Sequence, residues 1–188
     1  IATVEAHHLS SSAWPSGPLQ KLTSLLMELF SDEWLIIPAL HYRWNHNEEW
    51  TYQEFGRASI PDESPQSQYD FGVKQAKFFR HWIPAVGVSE ATISGVEKSY
   101  EAFLDMLSAH FKNHDYLFGS RPSYADFSLY GPLYAHMYRD PESRKLMDRV
   151  APAVSRWVER CQQGGDEKGE LLANDIVPST LLPILTYQ

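Results

Sequence analysis

The chain has 188 residues, enough for one domain with a substantial core, and its formal net charge of −8 argues against binding to nucleic acid. Its single cysteine, Cys161, excludes an intrachain disulfide, which fits a reducing compartment and predicts a cytoplasmic location. No apolar run approaches the ~20 residues that a membrane span needs, so no membrane partner is predicted. Aromatic residues make up 13% of the chain, a fraction that suits a packed core or an apolar ligand pocket.

The first residues read as a connection between domains. A short helix-like pattern over residues 1–8 stops at three consecutive serines, and a segment with Pro15, Gly17 and Pro18 follows. We interpret residues 1–14 as the end of an upstream domain plus a linker, and residues 15–188 as one helical domain. A disordered natural N-terminus is the alternative.

A long leucine-rich helix is predicted after Pro18, which suits a first helical turn. The apolar spacing continues to Trp44, with a kink or break expected at Pro38. The spacing is carried by Leu19, Leu22, Leu25, Leu26, Leu29 and Phe30. Residues 45–66 are polar and rich in turn-forming residues, and we predict a long loop there.

Further helices are predicted along the rest of the chain. One runs from about Ser67 to Ile83, with the small residues Gly72 and Ala76 on a buried face. The clearest is an apolar stripe over residues 93–111. Another begins at residue 123 and is interrupted by a Gly-Pro pair at 131–132, and a last helix is split at Pro152. The apolar residues 176–185 are expected to pack back on the body. With no hairpin signal in the sequence, the predicted fold is all-α, a bundle of five to six helices.

A capping box begins the helix at residue 123. Ser123 can accept a hydrogen bond from the backbone N–H of Asp126, whose carboxylate can reach back to the N–H of Ser123. The negative charge also suits the helix N-terminus. We therefore assign these conspicuous polar residues a structural role at the N-cap rather than a catalytic one.

The segment around the capping box resembles the signature of the C-terminal helical domain of glutathione transferases. It reads Leu117-Phe118-Gly119-Ser120-Arg121-Pro122-Ser123-Tyr124-Ala125-Asp126. Residues 151–156, which lead into Trp157, are similar to the family's Pro-x-hydrophobic-x-x-Trp helix. The resemblance extends over about residues 15–186, although residues 45–66 depart from the direct turn of compact members.

The resemblance implies a parent protein with two domains. In that family an N-terminal thioredoxin-like domain binds glutathione as cosubstrate and supplies the catalytic residue. The helical domain shapes a pocket for a small electrophile and contributes to a homodimer. No glutathione-cradling signature occurs here, so we predict no catalytic residue in this chain and no activity for it alone. The small-residue face near Gly72 and Ala76 is a candidate dimer contact.

Candidate pocket residues lie in two segments that the resemblance places beside the cleft between the domains. His41 can serve as a polar handle or proton carrier, and Arg43 can hold a carboxylate. Equally, these residues can pack under the loop, with Arg43 paired to Glu48 or Glu49. The other candidates are aromatic. For Tyr130, Tyr134 and Tyr138 the alternative is core packing. Trp34, with Asp32 and Glu33, can meet glutathione or a partner subunit, and a solvated face is the preferred interpretation there.

No metal site is predicted from the sequence. His110 and His114 are four residues apart and can share an ion, but no third ligand is evident nearby, so a partly exposed helix end is the preferred interpretation. Cys161 lies on an apolar stripe and is expected to be a buried, unreactive thiol.

Two functions therefore remain open. In the first, the chain is the acceptor-binding domain of a glutathione-dependent transferase, isomerase or reductase. In the second, it is a non-enzymatic helical module for protein interaction. An open aromatic pocket formed by residues 34–44 and 130–138 would favour the first, and a large exposed apolar patch without a concavity would favour the second.

Overall fold

The computed structural model describes residues 12–164 and 169–187, and every regular element in these ranges is helical. The helices run as α1 Pro18–Glu33, α2 Ile36–His46, α3 Glu48–Ser59, α4 Pro65–Arg80, α5 Ile93–Phe111, α6 Tyr124–Pro132, a π-helix Leu133–Tyr138, α7 Pro141–Val150, α8 Pro152–Gln162, a 3-10 turn Ser179–Leu181 and α9 Leu182–Tyr187. The predicted all-α class is confirmed, with finer division than the sequence suggested. None of the described helices combines the length and apolar character needed to cross a bilayer.

The first predicted helix is two helices, and the break lies before Pro38 rather than at it. The backbone N–H of Leu35 donates to the carbonyl of Phe30, five residues earlier, at 3.2 Å. This bond spans one residue more than an α-helical bond and marks the end of α1. Pro38 then falls in the first turn of α2, where its missing N–H is not required. The change of direction turns Trp34 outward, with half of its surface exposed.

Helix α1 is apolar on two sides. Met27 and Phe30 are buried against the body, where α1 packs along α6. The other side carries an exposed row that we call the leucine stripe, made of Leu19, Leu22, Leu25 and Leu29.

The predicted loop over residues 45–66 is wrong, because residues 48–59 form α3. This helix buries a narrow face of Thr51, Tyr52 and Gly56, and most of its other residues are polar, which hides the helical pattern. It packs along α4 in a helical hairpin.

Close backbone contact holds the α3–α4 hairpin together. A Cβ at Gly72 would overlap the carbonyl oxygen of Tyr52, and one at Gly56 would overlap that of Gln68. Ala76 is also buried in this contact region. The small-residue face of α4 is thus used within the chain, and the predicted dimer contact at Gly72 and Ala76 is wrong.

Helix α5 runs through the main core and contacts α2, α7, α8 and the C-terminal elements. Its buried face matches the predicted stripe and includes Tyr100, Phe103, Leu104 and Leu107. A second, smaller cluster around Trp44 lies between α2 and the α3–α4 hairpin. The tail packs back as expected, with Leu181 and Ile184 fully buried.

The Gly131-Pro132 pair does not end the helix but changes its winding. Helix α6 continues beyond Pro132 as a π-helix to Tyr138, which accommodates the hydrogen bond that proline cannot donate. The predicted split at Pro152 is confirmed as the boundary between α7 and α8.

A residue from the C-terminal segment caps the start of α1. The carboxylate of Asp175 accepts hydrogen bonds from the backbone N–H groups of Leu19 at 2.7 Å and Gln20 at 2.9 Å. The cap position itself is Gly17, which has no side chain to do this. Asn174 and Asp175 both adopt a left-handed backbone, with φ of 57° and 55°.

Candidate functional site

The junction of α1 and α2 is bordered by two concavities. The first, which we call the Trp34 groove, lies between this junction and the start of α5 and has a volume of about 490 Å³. Its lining is mainly apolar: Trp34, Ile37, Pro38, Ala91, Thr92, Gly95, Val96 and Ser99. The exposed indole and an apolar floor suit a small hydrophobic ligand.

The second concavity, the His136 cleft, is where the segments 34–44 and 130–138 face each other. It is smaller, about 180 Å³, and is lined by Ser31, Asp32, Ile36, Ala39, Pro132 and His136. Burial, together with the positive charges of Arg43 and Arg139, lowers the pKa of His136 to about 4. The imidazole is therefore neutral at physiological pH.

Sequence reasoning missed His136 because it is out of phase with the tyrosines. It stands two positions from Tyr134 and from Tyr138, which places it on another side of the helix. Pro132, four residues earlier, lines the same cleft, and this spacing is the sequence feature that could have identified His136.

Arg43 points away from the Trp34 groove toward the π-helix. Its guanidinium donates to both carboxylate oxygens of Asp140 at 2.7 Å and to the carbonyl of Ala135 at 2.8 Å. Burial raises the pKa of Asp140, an effect that the Arg43 pair opposes. Arg43 does hold a carboxylate bidentately, but it is one from the same chain, and neither Glu48 nor Glu49 is its partner.

His41 points in the opposite direction, toward α5. Its Nε2 lies 3.0 Å from Oε1 of Glu97, and Nε2 of His46 lies 3.2 Å from the same oxygen. The hydrogen bond with His41 is the main cause that lowers the pKa of Glu97. His41 is almost fully buried, whereas His46 and Glu97 are partly exposed.

The three candidate tyrosines form a stacked row along one side of α6 and the π-helix. Tyr130 and Tyr134 stack with ring centroids 5.1 Å apart, and Tyr134 and Tyr138 are 6.4 Å apart. The row faces α8, where the hydroxyl of Tyr138 donates to Glu159 at 2.6 Å and that of Tyr134 accepts from Gln162 at 3.2 Å. These rings line neither the Trp34 groove nor the His136 cleft.

Ser123 and Asp126 form the expected capping box. Asp126 is fully buried and accepts four hydrogen bonds, from the N–H and hydroxyl of Ser123, the N–H of Leu117 and the indole of Trp157, at 2.7–3.0 Å. Burial raises the pKa of this carboxyl while these donors oppose the shift. The residue joins three segments of the core.

Cys161 is buried, as the sequence predicts, and burial raises the pKa of its thiol well above the ordinary value. His110 is fully buried rather than partly exposed: Nδ1 lies 2.7 Å from the Thr180 hydroxyl and Nε2 lies 3.2 Å from the carbonyl of Tyr116. Its ring stacks on His114.

The structure thus separates the candidate residues that the sequence grouped. Trp34 lines a groove, His41 joins a polar cluster on α5, Arg43 is paired with Asp140, and the tyrosines lie against α8.

A known family matches part of the chain. Residues 90–160, less than half of the chain, match the family model described as glutathione S-transferase, C-terminal domain. The matched segment contains α5 and the capping box, and the predicted recognition of this helical domain is confirmed. Comparisons with curated protein sequences and with solved structures gave no match.

Proposed function

Since residues 90–160 carry a glutathione S-transferase C-terminal domain, we propose that this chain is the acceptor-binding domain of a glutathione S-transferase-like protein. In this proposal a thioredoxin-like domain of the same parent binds glutathione as cosubstrate and activates its thiol. The parent then conjugates or reduces small electrophiles. The isolated chain is expected not to turn over chlorodinitrobenzene with glutathione.

The observation that carries the proposal is the Trp34 groove, which is formed by residues 34–38 and 91–99 rather than by the expected segments 34–44 and 130–138. Its volume of about 490 Å³ lies within the ~300–1,000 Å³ typical of small-molecule sites, whereas the His136 cleft is too small by itself. The groove's two polar lining residues, Thr92 and Ser99, are exposed, and the rest of the lining is mainly apolar.

The groove would act by positioning and desolvation. The exposed indole of Trp34 offers a flat face on which an aromatic electrophile can stack, and the lining of Ile37 and Val96 excludes water from the acceptor. Holding the acceptor beside a bound thiolate converts a bimolecular encounter into a step within one complex. The chemistry of the thiolate itself would belong to the other domain.

The test compares two exposed tryptophans. Trp34 and Trp82 are exposed to similar extents, 52% and 50%, but Trp82 lies in the turn after α4 and does not line the groove. We expect Trp34→Ala to weaken binding of anilinonaphthalene sulfonate about 10-fold, which corresponds to ~1.4 kcal/mol, and Trp82→Ala to leave it unchanged. Fluorescence titration measures the affinity, and displacement by chlorodinitrobenzene identifies the acceptor site. Equal affinities of the two variants would contradict the proposal.

The leucine stripe favours a second candidate function, a module for protein interaction. Four leucines, each 47–58% exposed, lie on one helix outside the core. Such a row is typical of a surface that another protein covers. It also fits the homodimer that the resemblance implies, because α1 is among the helices through which family members associate. Light scattering at tens of micromolar gives the mass, and a monomer would count against the dimer.

A further inference from the structure

Three potential ligand atoms converge between α2 and α5, on a side of α2 that the proposed acceptor site does not use. They belong to His41, His46 and Glu97, and one ligand atom of each residue lies within 4.8 Å of the other two. We call these residues the His–Glu cluster. The donors belong to the residue types that divalent transition metals prefer.

We propose that the His–Glu cluster binds a divalent metal ion of the zinc class. Ligands at ~2.0–2.1 Å from a tetrahedral zinc ion stand roughly 3.4 Å apart. The Glu97 oxygen is 3.0 Å from His41 Nε2 and 3.2 Å from His46 Nε2, so these two separations need to widen by only a few tenths of an ångström to admit an ion. The ion would take the place of the protons that now link the imidazoles to the carboxylate.

The second ring nitrogen of His41 already has a partner that can orient it. Nδ1 lies 2.8 Å from the side-chain amide of Asn45, one helical turn away. When Nε2 binds a metal, Nδ1 carries the proton, and a half-turn of the amide presents its oxygen as the acceptor. Metal-binding histidines in proteins are generally fixed by such a contact.

Burial is graded across the cluster in a way that leaves one side open. The side chain of His41 is 1% exposed, whereas those of His46 and Glu97 are 41% and 35% exposed. Two histidines and one carboxylate fill three positions, and water from the open side would fill the fourth. This is the arrangement of a site that can exchange its fourth ligand.

The experiment titrates the whole 188-residue chain with Zn²⁺ by calorimetry and with Co²⁺ by visible absorption. We expect one site per chain, tetrahedral Co²⁺ bands that Zn²⁺ displaces, and no competition by Mg²⁺. His46→Ala and Glu97→Gln should each weaken binding about 100-fold, and Asn45→Ala about 10-fold. These positions are partly exposed or peripheral, and circular dichroism verifies that each variant keeps its helical content.

Histidines elsewhere provide the matched controls. His81→Ala removes an exposed histidine on another element, and the double variant His7→Ala/His8→Ala removes an adjacent pair that can capture metal by itself. Both should bind as the parent chain does. The proposal is overturned if binding is not saturable at one ion per chain, if it survives in His46→Ala and Glu97→Gln, or if it disappears in the control variants.

Discussion

The region around Asp126 and the α3–α4 hairpin are held together by opposite means. In the first, a fully buried carboxylate accepts hydrogen bonds from three segments of the chain. In the second, two helices approach until backbone meets backbone at Gly56 and Gly72. One region depends on a polar side chain that must be present, and the other on side chains that must be absent. Substitutions should therefore damage them for different reasons.

The largest effect is expected for Asp126→Ala. The substitution leaves the N–H groups of Leu117 and Ser123 and the indole of Trp157 without their buried acceptor, at ~1–3 kcal/mol each. We expect the free energy of unfolding to fall by about 4 kcal/mol, measured by urea denaturation. Asp126→Asn keeps the shape and one acceptor and should cost about half as much. A loss under ~1 kcal/mol in the alanine variant would show that the carboxylate does not organise this region.

The next effect tests the same region through pH. Burial lowers the pKa of His110 to about 4, below the ~6.5 of an unfolded chain. The unfolded state thus binds more protons between these values, so the stability is complete above pH 6.5 and falls as the pH drops toward 4. The full loss from this group is up to about 3 kcal/mol. His110→Gln should flatten the stability profile between pH 6.5 and 4, with His136, which has a similar shift, accounting for the remaining slope. An unchanged profile in His110→Gln would contradict this assignment.

A smaller effect tests the hairpin. Gly72→Ala places a methyl group against the carbonyl of Tyr52, so α3 and α4 must separate, and we expect a loss of about 2 kcal/mol in thermal or urea unfolding. Gly95→Ala is the matched control on α5, where a Cβ meets open space, and it should stabilise by ~0.5–1 kcal/mol because alanine favours the helix. If the two variants behave alike, close approach does not govern the hairpin.

The sequence predicted the Asp126 region better than the hairpin, for a physical reason. A capping box places its partners three residues apart, so Ser123 and Asp126 could be paired without knowing the fold. Helix α3 buries one narrow face, and most of its other residues are polar, so its sequence resembles that of a loop. The split at Pro152 and a local disturbance at Pro132 were predictable because proline acts locally, but the π-helical winding that follows Pro132 was not predicted.

The candidate site was harder to predict because its contacts are distant in the chain. Arg43 pairs with Asp140, 97 residues away, although the sequence offered nearer acids. His41 and His46 lie on α2 and approach Glu97 on α5. The two histidines are five residues apart, whereas residues on the same helix face are usually three or four apart. Trp34 was identified as a pocket residue by resemblance. The helix break that exposes Trp34 lies before Pro38, whereas the sequence predicted a break at Pro38. The binding role of Trp34, the glutathione cosubstrate and the cytoplasmic location stay predictions.

The contact of Asp175 with Leu19 and Gln20 has a consequence for how the chain matures on the ribosome. The N-terminal end of α1 is synthesised early, yet the carboxylate that satisfies its amides lies some 155 residues later. Until Asp175 has been synthesised, water is the available partner for those amides, so the N-terminal turn of α1 is completed late although its residues are made early. A protease that acts on the nascent chain before Asp175 is synthesised would meet α1 with its N-terminal turn still frayed.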